Sequence, residues 1–294
     1  MKASCNLYLV NMGYSFEENV DMLINAGFSA IDFTVDAKLD YVRQSPIFTS
    51  EYKSFAKEIF KRAESQGVVF NQSHAPFPSE RFTEILPRTI EFASLIGAKT
   101  VVVHPLHDGM EYSTNKELLF ERNMQFYSSI APYAKSFGIK IGIENMWQRH
   151  RITGRICDSV CADPKELCRY YDYLNDQEVF TVCVDTGHTA LCGREPEDVI
   201  RAVGGKRLGA LHLHDVDYIE DLHTVPYLGK INFDRVAKSL ADIGYGGDIT
   251  LEIKNFAMGM NKSFYPEILS FIRKTADYIV TLTQKYKNTE EYRL

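Results

Sequence analysis

The sequence repeats one pattern eight times along its 294 residues. In each repeat, a short run of aliphatic or β-branched residues is followed by a polar loop and then by a longer segment with helical periodicity. This alternation predicts a parallel sheet, and eight such units close most naturally into a single (β/α)8 barrel. The eight strands are predicted at Ser4 to Val10, Ala30 to Val35, Val68 to Ser73, Thr100 to His104, Lys140 to Glu144, Thr181 to Asp185, Ala210 to His214 and Ile249 to Ile253.

Local signals at the helix ends support this count. Ser15 and Glu18 form a capping-box pattern, and Asp163 stands before a proline where another helix is expected to begin. Ser263 is predicted to cap the last helix. Five glycines stand where helices are expected to end: Gly27, Gly67, Gly97, Gly138 and Gly244. Because the chain has neither a Gly/Ser linker nor a glycine-rich phosphate loop, a second domain and an open doubly wound sheet are not favoured.

Composition and charge narrow the class of protein. The hydrophobic fraction is 45% and the charged fraction 24%, which are ordinary values for a globular enzyme. Neither a membrane-length apolar run nor a signal peptide is recognised, so we expect a cytoplasmic protein with no membrane partner. The net charge of -6 at pH 7 argues against a nucleic-acid partner. The cysteines are expected as reduced thiols, and the Cys157 and Cys161 spacing lacks the second pair of a structural metal site.

Six successive strands end with a side chain that can bind a metal: His74, His104, Glu144, Asp185, His212 and Glu252. Alternate residues of a strand face opposite sides, so Ile141 and Ile143 cover the helices while Glu144 points toward the barrel axis. Unpaired charges at that position would be costly, and a shared cation removes the cost. The sequence therefore predicts a divalent metal at the barrel mouth, with manganese or zinc preferred and magnesium or cobalt as alternatives.

The motifs VVVHP, GIEN, VCVDTGH, LHLHD, DLHTVPYLGKINF and TLEIK extend over most of the chain. In order and rough spacing they resemble the xylose isomerase-like barrels, a family that includes sugar phosphate isomerases and epimerases, inosose dehydratase and endonuclease IV. The resemblance implies a metal held by one aspartate, one histidine and two glutamates. These ligands correspond here to Glu144, Asp185, His212 and Glu252. His188, in the second half of the DxxH motif, corresponds to a common substrate contact.

This ligand set suits a reaction at a hydroxy-ketone. A metal bridging two adjacent oxygens acidifies the carbon-bound proton between them and stabilises an enediolate. Glu144 and Glu252 come from strands three apart in the ring, so they can flank the substrate and exchange that proton. The expected substrate is a small sugar or sugar phosphate. The ketose 3-epimerases carry HxGE followed by an arginine where this chain has HLHDVDY, which weakens the prediction of a ketohexose.

Further side chains are predicted to contact the substrate. The basic segment MWQRHRITGR after the fifth strand is expected to lie over the barrel mouth, either as a wall with cations for a phosphate or carboxylate or as solvated surface. The predicted contacts are His74, His104, His188, His214, Trp147, Arg151 and Arg155.

Several alternatives stay open at this point. All nine metal-binding positions of endonuclease IV have metal-capable counterparts here, which leaves an AP endonuclease and additional metal ions as alternatives. The additional ligands would be His74, His104, His188, Asp221 and His223. An inosose-type dehydratase and a non-catalytic sugar-binding barrel are the other readings of the same scaffold. Apolar residues on the last helix are compatible with a homodimer.

Overall fold

A computed structural model of the chain describes residues 1–6, 13–35, 46–78, 85–107 and 109–289. The aliphatic runs form short strands, and eight of these strands lie parallel in one sheet while two others form a separate antiparallel pair. In chain order the strands are β1 (Ala3–Asn6), β2 (Ala30–Thr34), β3 (Val69–His74), β4 (Thr100–Val103), β5 (Lys140–Glu144), β6 (Trp147–Arg149), β7 (Ile156–Asp158), β8 (Phe180–Asp185), β9 (Leu208–His212) and β10 (Ile249–Leu251).

The parallel sheet closes into a ring. Its strand order runs from β10 through β1, β2, β3, β4 and β5 to β8 and β9. The Leu213 N–H donates to the Thr250 carbonyl at 2.9 Å, and the Glu252 N–H donates to the Leu213 carbonyl at 3.0 Å. These two bonds join β9 to β10, so the predicted (β/α)8 barrel is confirmed. All carboxyl ends of the eight strands consequently meet at one rim.

Helices surround this ring. The α-helices are α1 (Phe16–Asn25), α2 (Tyr52–Glu64), α3 (Leu86–Leu95), α4 (Tyr112–Phe137), α5 (Pro164–Leu174), α6 (Thr186–Leu191), α7 (Pro196–Val203), α8 (Phe233–Asp242) and α9 (Tyr265–Asn288). Short 3-10 turns cover Pro46–Phe48 and Lys262–Phe264. None of the helices in the described ranges combines the length and apolar character that a membrane crossing requires.

Most of the predicted helix ends are confirmed. Ser15 and Glu18 form a complete capping box, and the Asp163 side chain accepts from the Lys165 N–H at the start of α5. All five glycines predicted to end helices have positive φ angles. The prediction that Ser263 caps the last helix was wrong. The side chain of Asn261 accepts from the Ser263 N–H, and Ser263 lies inside the 3-10 turn before α9.

The structure describes only part of one predicted strand and adds two strands where a loop was predicted. Residues 7–10 of the predicted first strand lie outside the described residues, and its described part is Ala3–Asn6. The segment after β5, predicted as a loop, contains the β6–β7 hairpin, in which Trp147 pairs with Asp158 and Arg149 with Ile156. Two short antiparallel strands can form there because the turn residues 150–155 bring the chain back upon itself.

The two faces of the strands separate as their alternation predicts. Ile141 and Ile143 are fully buried in the main core beneath the helices. Val102, Cys183 and Ala210 form a small separate apolar cluster, which strand parity places inside the barrel. The six cysteines are free thiols, as expected. The interior toward the carboxyl rim is polar and contains buried histidines and carboxylates.

Candidate metal centre

Four buried side chains meet at the carboxyl rim of the barrel. Each has an exposed fraction of 2% or less, and each offers one ligand atom within 4.8 Å of the others. They are the residues that the sequence motifs indicated: Glu144, Asp185, His212 and Glu252. Glu144 and Asp185 end β5 and β8, His212 ends β9, and Glu252 directly follows β10. The closed ring therefore brings together residues as distant in sequence as Glu144 and Glu252.

The buried carboxylate oxygens of these residues are arranged to bind a cation. Oδ2 of Asp185 and Oε2 of Glu252 are buried and form no hydrogen bond with any described residue, and the buried Oε2 of Glu144 faces two histidine nitrogens. Buried carboxylate oxygens are normally partnered, and a cation would be such a partner. Nδ1 of His212 lies 3.0 Å from Oε1 of Glu144, so an imidazole nitrogen joins the oxygens. Three carboxylates and one imidazole are a donor set suited to zinc, manganese or a similar divalent ion.

Two histidines from β3 and the end of β4 extend this cluster. Nε2 of His104 lies 3.0 Å and Nε2 of His74 lies 3.5 Å from Oε2 of Glu144, and the two Nε2 atoms are 3.1 Å apart. Burial lowers the pKa of His104 to about 4 although Glu144 opposes the shift, so this ring is neutral at neutral pH. Burial also opposes ionisation of Glu144, but His212 and His104 hold its pKa well below the usual value. Glu144 and these two imidazoles form a further group of metal-capable atoms that shares Glu144 with the main cluster.

The segment 185–188 turns from β8 directly into α6 and orders two parts of the site. Oδ1 of Asp185 caps the helix by accepting from the His188 N–H at 2.6 Å, which leaves Oδ2 for another ligand. The Thr186 hydroxyl donates to the His214 carbonyl at 2.9 Å and accepts from the His214 N–H at 3.1 Å. A Cβ atom on Gly187 would lie 1.9 Å from Cε1 of His214. Glycine is therefore the residue that lets this ring approach α6.

His188 has a fixed tautomer in this arrangement. Its Nδ1 lies 2.9 Å from the Asn145 carbonyl oxygen, and a carbonyl oxygen can only accept. Nδ1 therefore carries the proton, and Nε2 is free to bind a ligand or to accept from a substrate hydroxyl. Asn145 is itself held by the Asp185 backbone, whose N–H donates to its side-chain oxygen at 2.8 Å.

A second cluster lies beside the first and contains most of the residues named for additional metal ions. His188, His214, Asp221 and His223 offer ligand atoms within 4.8 Å of one another. The sequence had assigned His214 to substrate binding, whereas its Nε2 lies 3.0 Å from Oδ1 of Asp185 and its ring stacks on His223 with centroids 3.8 Å apart. His214 thus connects the two clusters.

The contact between His223 and Asp221 places two acceptors face to face. Nδ1 of His223 donates to the Glu252 carbonyl at 3.1 Å, and burial lowers the pKa of His223 to about 4. The neutral ring therefore presents the lone pair of Nε2 to Oδ2 of Asp221 at a distance of 3.2 Å. Two acceptors at hydrogen-bonding distance repel unless a proton or a cation lies between them.

A buried aspartate holds the loop that carries this second pair. Oδ1 of Asp215 accepts from the N–H groups of Val216 and Ile231 at 2.9 and 3.0 Å, and its Oδ2 accepts from Gly229 at 2.9 Å. A carboxylate that accepts several backbone N–H groups fixes the course of the surrounding chain. The segment 215–231 is thereby folded back over the rim, with Asp221 between its two anchored ends.

Two residues at the centre were not identified from the sequence. Nζ of Lys254 lies 2.8 Å from Oε1 of Glu252, so an ammonium group stands beside the metal-capable carboxylate. Oδ2 of Asp32, from β2, lies 3.4 Å from Nε2 of His212. The alternation of side chains along a strand could have placed both residues on the inner face of the barrel. Lys254 follows Glu252 by two positions, and Asp32 stands between the outward-facing Ile31 and Phe33.

Aromatic side chains flank the histidines at the mouth. The Trp147 ring lies 6.5 Å from that of His188, measured between centroids. The Phe77 ring lies 4.0 Å from that of His104, and 54% of Phe77 is exposed. A metal-capable floor with apolar walls is typical of a small-molecule site. Trp147 thus lies where a substrate contact was predicted, and Phe77 adds a wall that the sequence did not indicate.

The arginines of the hairpin differ in their surroundings. Arg149 pairs with Glu220 at 2.7 Å and lies over the Trp147 ring, so it links the hairpin to the loop 215–231. Arg151 and Arg155 lie at the turn of the hairpin and are exposed. The structure therefore does not bring these two arginines into the buried cluster.

Comparisons with known proteins agree with this architecture. A family model described as the xylose isomerase-like TIM barrel matches residues 20–275. The uncharacterised protein MJ1311 of Methanocaldococcus jannaschii is 28% identical over 215 residues, which cover 68% of this chain and 70% of that protein. A D-tagatose 3-epimerase-like protein with a crystal structure shares 22% sequence identity with this chain. The two structures match with a TM-score of 0.72 over 97% of this chain and 99% of the other. The IOLI protein, crystallised with a zinc atom, is 16% identical with a TM-score of 0.72, over 98% of this chain and 100% of the other.

Proposed function

Because the chain belongs to the xylose isomerase-like TIM barrel family, we propose that it is a metal-dependent isomerase or epimerase of a small sugar or sugar phosphate. The observation that carries this proposal is the convergence of three carboxylates and one imidazole within 4.8 Å at the barrel mouth. Sugar epimerases are among the solved structures that share the fold, and one relative was crystallised with zinc. Fold alone does not assign an activity, so the argument rests on the site.

The residues that would hold the ion are Glu144, Asp185, His212 and Glu252. When bound, a divalent ion would polarise a substrate carbonyl and make the adjacent carbon-bound proton more acidic. Manganese and zinc fit the mixed oxygen and nitrogen donors best, with magnesium and cobalt as alternatives. The aromatic rings of Phe77 and Trp147 would exclude water from the apolar faces of the substrate.

Two glutamates can move the proton. Burial opposes ionisation of Glu252, but Lys254, His212 and His223 hold its pKa well below the usual value, so it is a carboxylate at neutral pH. One carboxylate removes the proton from carbon and becomes a carboxylic acid, while the electrons of the broken bond form an enediolate. For an isomerisation the same carboxylic acid returns its proton to the neighbouring carbon, and the hydroxyl proton moves between the two substrate oxygens through solvent. For an epimerisation the other glutamate first takes a proton from solvent and gives it to the opposite face of the carbon, and the first carboxylic acid releases its proton to water. Glu144 and Glu252 approach from strands separated by β8 and β9, which is the arrangement that two-sided transfer needs.

Other residues would bind and orient the substrate. Nε2 of His188 is the acceptor in its fixed tautomer, so it can receive a substrate hydroxyl. The ammonium of Lys254 balances the charge of Glu252 and can donate to a substrate oxygen. We further propose Arg151 and Arg155 as contacts for a phosphate or carboxylate group, since both are exposed cations on the hairpin over the mouth.

The acceptor-to-acceptor contact between Asp221 and His223 supports a second proposal, that the protein binds more than one metal ion. The additional ligands would be His188, Asp221 and His223, with His214 beside them. His74 and His104 would serve a further ion that shares Glu144. Asp221→Asn is expected to lower the metal stoichiometry without removing the ion held by Asp185.

The metal centre is tested by elemental analysis of the purified protein. Wild type is expected to contain a divalent ion, and Asp185→Ala is expected to lose it, because that change removes one of the proposed ligands. Asp163→Ala is the matched control, since Asp163 caps α5 away from the cluster. Full stoichiometry in Asp185→Ala would show that the ligand set is wrong.

The reaction is tested with a panel of sugars, sugar phosphates and inososes in heavy water. Product is expected to gain solvent deuterium at the carbon beside the carbonyl, and Glu144→Gln or Glu252→Gln is expected to remove most turnover. Turnover without solvent exchange would indicate an intramolecular hydride shift and refute the proton-transfer roles. Loss of water from an inosose would favour the dehydratase alternative, and cleavage of abasic DNA would favour the endonuclease. No turnover on the whole panel would favour a sugar-binding barrel.

A further inference from the structure

Asp32 is a buried carboxylate that the proposed reaction does not use. It lies in β2, which β1 and β10 separate from β9 in the ring, and it is fully buried. Its Oδ2 reaches across the barrel to within 3.4 Å of Nε2 of His212. The other nitrogen of that ring, Nδ1, lies 3.0 Å from Oε1 of Glu144. The two nitrogens of His212 therefore face two different carboxylates, one inside the metal-capable cluster and one outside it.

Gln72 holds Asp32 in this position. Nε2 of Gln72 donates to Oδ2 of Asp32 at 3.2 Å and lies 3.3 Å from the carbonyl oxygen of Leu211, the residue before His212. Oε1 of Gln72 accepts from the Thr250 hydroxyl at 3.4 Å. One amide side chain thus connects the aspartate on β2 to the backbone of β9. The distance between Asp32 and His212 is therefore set by a fixed network and not by one free side chain.

We propose that Asp32 is a positioning residue that accepts the Nε2–H of His212 and so makes Nδ1 the nitrogen that binds the metal. This inference rests on the proposed metal centre. A histidine ligand presents one nitrogen to the ion and commonly donates the other N–H to a carboxylate, which fixes its tautomer and ring orientation and makes it a stronger ligand. Nε2 of His212 is buried and forms no hydrogen bond with the described residues, and Oδ2 of Asp32 lies 3.4 Å from it, so Asp32 is the carboxylate placed to receive this proton.

The distance of 3.4 Å is longer than the usual N–H···O hydrogen bond of about 2.7 to 3.2 Å. The groups beside the two side chains account for this distance. Nδ1 of His212 lies 3.0 Å from Oε1 of Glu144, and Oδ2 of Asp32 accepts a hydrogen bond of 3.2 Å from Gln72. An ion bound at Nδ1 withdraws electrons from the ring and makes the Nε2–H a stronger donor. We therefore expect the hydrogen bond from His212 to Asp32 to be strongest in the metal-bound protein.

Zinc affinity, measured without any substrate, tests this role. Wild type, Asp32→Asn and Asp32→Leu are titrated with zinc in competition with a chromogenic chelator. Loss of an outer-shell partner typically weakens metal binding by about 10- to 100-fold, and we expect Asn near the lower figure and Leu near the upper one. Ser4→Ala is the matched control, because Ser4 is also fully buried inside the barrel but bonds to Asn71 and not to a metal-capable residue.

A spectroscopic readout separates positioning from general loss of structure. In long-range proton–nitrogen spectra of the zinc-loaded wild type, His212 is expected to carry its proton on Nε2 and the metal on Nδ1. In Asp32→Leu we expect this signal to broaden or to show the other tautomer, while far-ultraviolet circular dichroism stays unchanged. Asp32→Glu, which keeps the carboxylate, is expected to recover part of the affinity.

Three results would overturn the inference. These are an unchanged zinc affinity in Asp32→Asn and Asp32→Leu, an equal loss in Ser4→Ala, or a metal bound at Nε2 of His212. Each of them would leave the metal centre itself intact, since the wild type would still bind zinc. A wild type that bound no divalent ion would instead refute the proposed metal centre, and the role of Asp32 with it.

Discussion

Gly187→Ala is expected to destabilise the protein through a single steric contact. Gly187 lies within α6 at an ordinary φ angle, and a Cβ atom there would lie 1.9 Å from Cε1, 2.4 Å from Nε2 and 2.5 Å from Nδ1 of His214. The ring cannot move away freely. Its Nε2 is 3.0 Å from Asp185, its opposite face stacks on His223, and its backbone is held on both sides by Thr186.

The expected magnitude follows from two opposing effects. Forcing an extra methyl group into a packed interior costs about 1 to 3 kcal/mol, and a contact as close as 1.9 Å indicates the upper end. Alanine is favoured over glycine within a helix by about 1 kcal/mol. We therefore expect Gly187→Ala to lower the free energy of unfolding by about 2 kcal/mol. Gly246→Ala is the matched control, because a Cβ atom there meets nothing within 4 Å.

A double-mutant cycle measures this contact directly. Urea unfolding is followed in the presence of a chelator, so that metal binding does not contribute to stability. In a His214→Ala background the clash is absent, and Gly187→Ala is expected to become stabilising by up to about 1 kcal/mol. Additivity of the two changes within about 0.5 kcal/mol would refute the reasoning, because contacting residues couple and independent ones do not.

Three further outcomes are expected. Burial opposes ionisation of Asp158, but the two hydrogen bonds that it accepts from Arg194 lower its pKa. The ion pair therefore stabilises the fold at pH values above the ordinary pKa of aspartate, and this contribution is lost as the pH falls through the lowered pKa. Urea titrations should accordingly show Arg194→Met destabilised by about 0.5 to 1 kcal/mol at neutral pH, with the difference shrinking below about pH 4. Arg151→Ala and Arg155→Ala should raise KM more for a phosphorylated substrate than for a neutral analogue, and equal effects would leave both as solvated surface. Calorimetry in buffers of different ionisation enthalpy should show release of about one proton per metal ion, because binding displaces the proton of His212.

The barrel and the convergence of metal-capable side chains at its rim could be predicted because both follow from periodicity, whereas the set of four ligands was implied by the resemblance to the family. A side-chain period of two separates Ile141 and Ile143 from Glu144, and eight parallel strands place all their carboxyl ends on one rim. Once that rim is formed, Glu144 and Glu252 have to lie near each other although β8 and β9 separate their strands. The prediction needed no knowledge of distances, since closure of the ring fixes the order of the strands.

Contacts that cross the barrel could not be predicted in this way. Asp32 lies in the middle of β2 and not at its carboxyl end, and a register shift between Ile31 and Asp32 against β3 alters where its side chain reaches. Whether such a residue meets His212 depends on distances across the ring, which no local pattern encodes. Ser263 shows the same limit on a smaller scale, because Asn261 two residues earlier competes for the same N–H groups.

The balance of charge at the rim favours a metal enzyme over a barrel that binds a neutral sugar. Four carboxylates, those of Asp32, Glu144, Asp185 and Glu252, have exposed fractions of 2% or less, and Lys254 is the ammonium group paired with them in the described residues. Burial alone would lower the pKa of His212, but the carboxylates of Glu144 and Glu252 raise it well above its usual value. Protonated imidazole thus offsets charge that a divalent ion would offset more completely. A site for neutral hydroxyl groups would need hydrogen-bond partners and no such excess of buried negative charge, so this excess supports the proposed divalent ion.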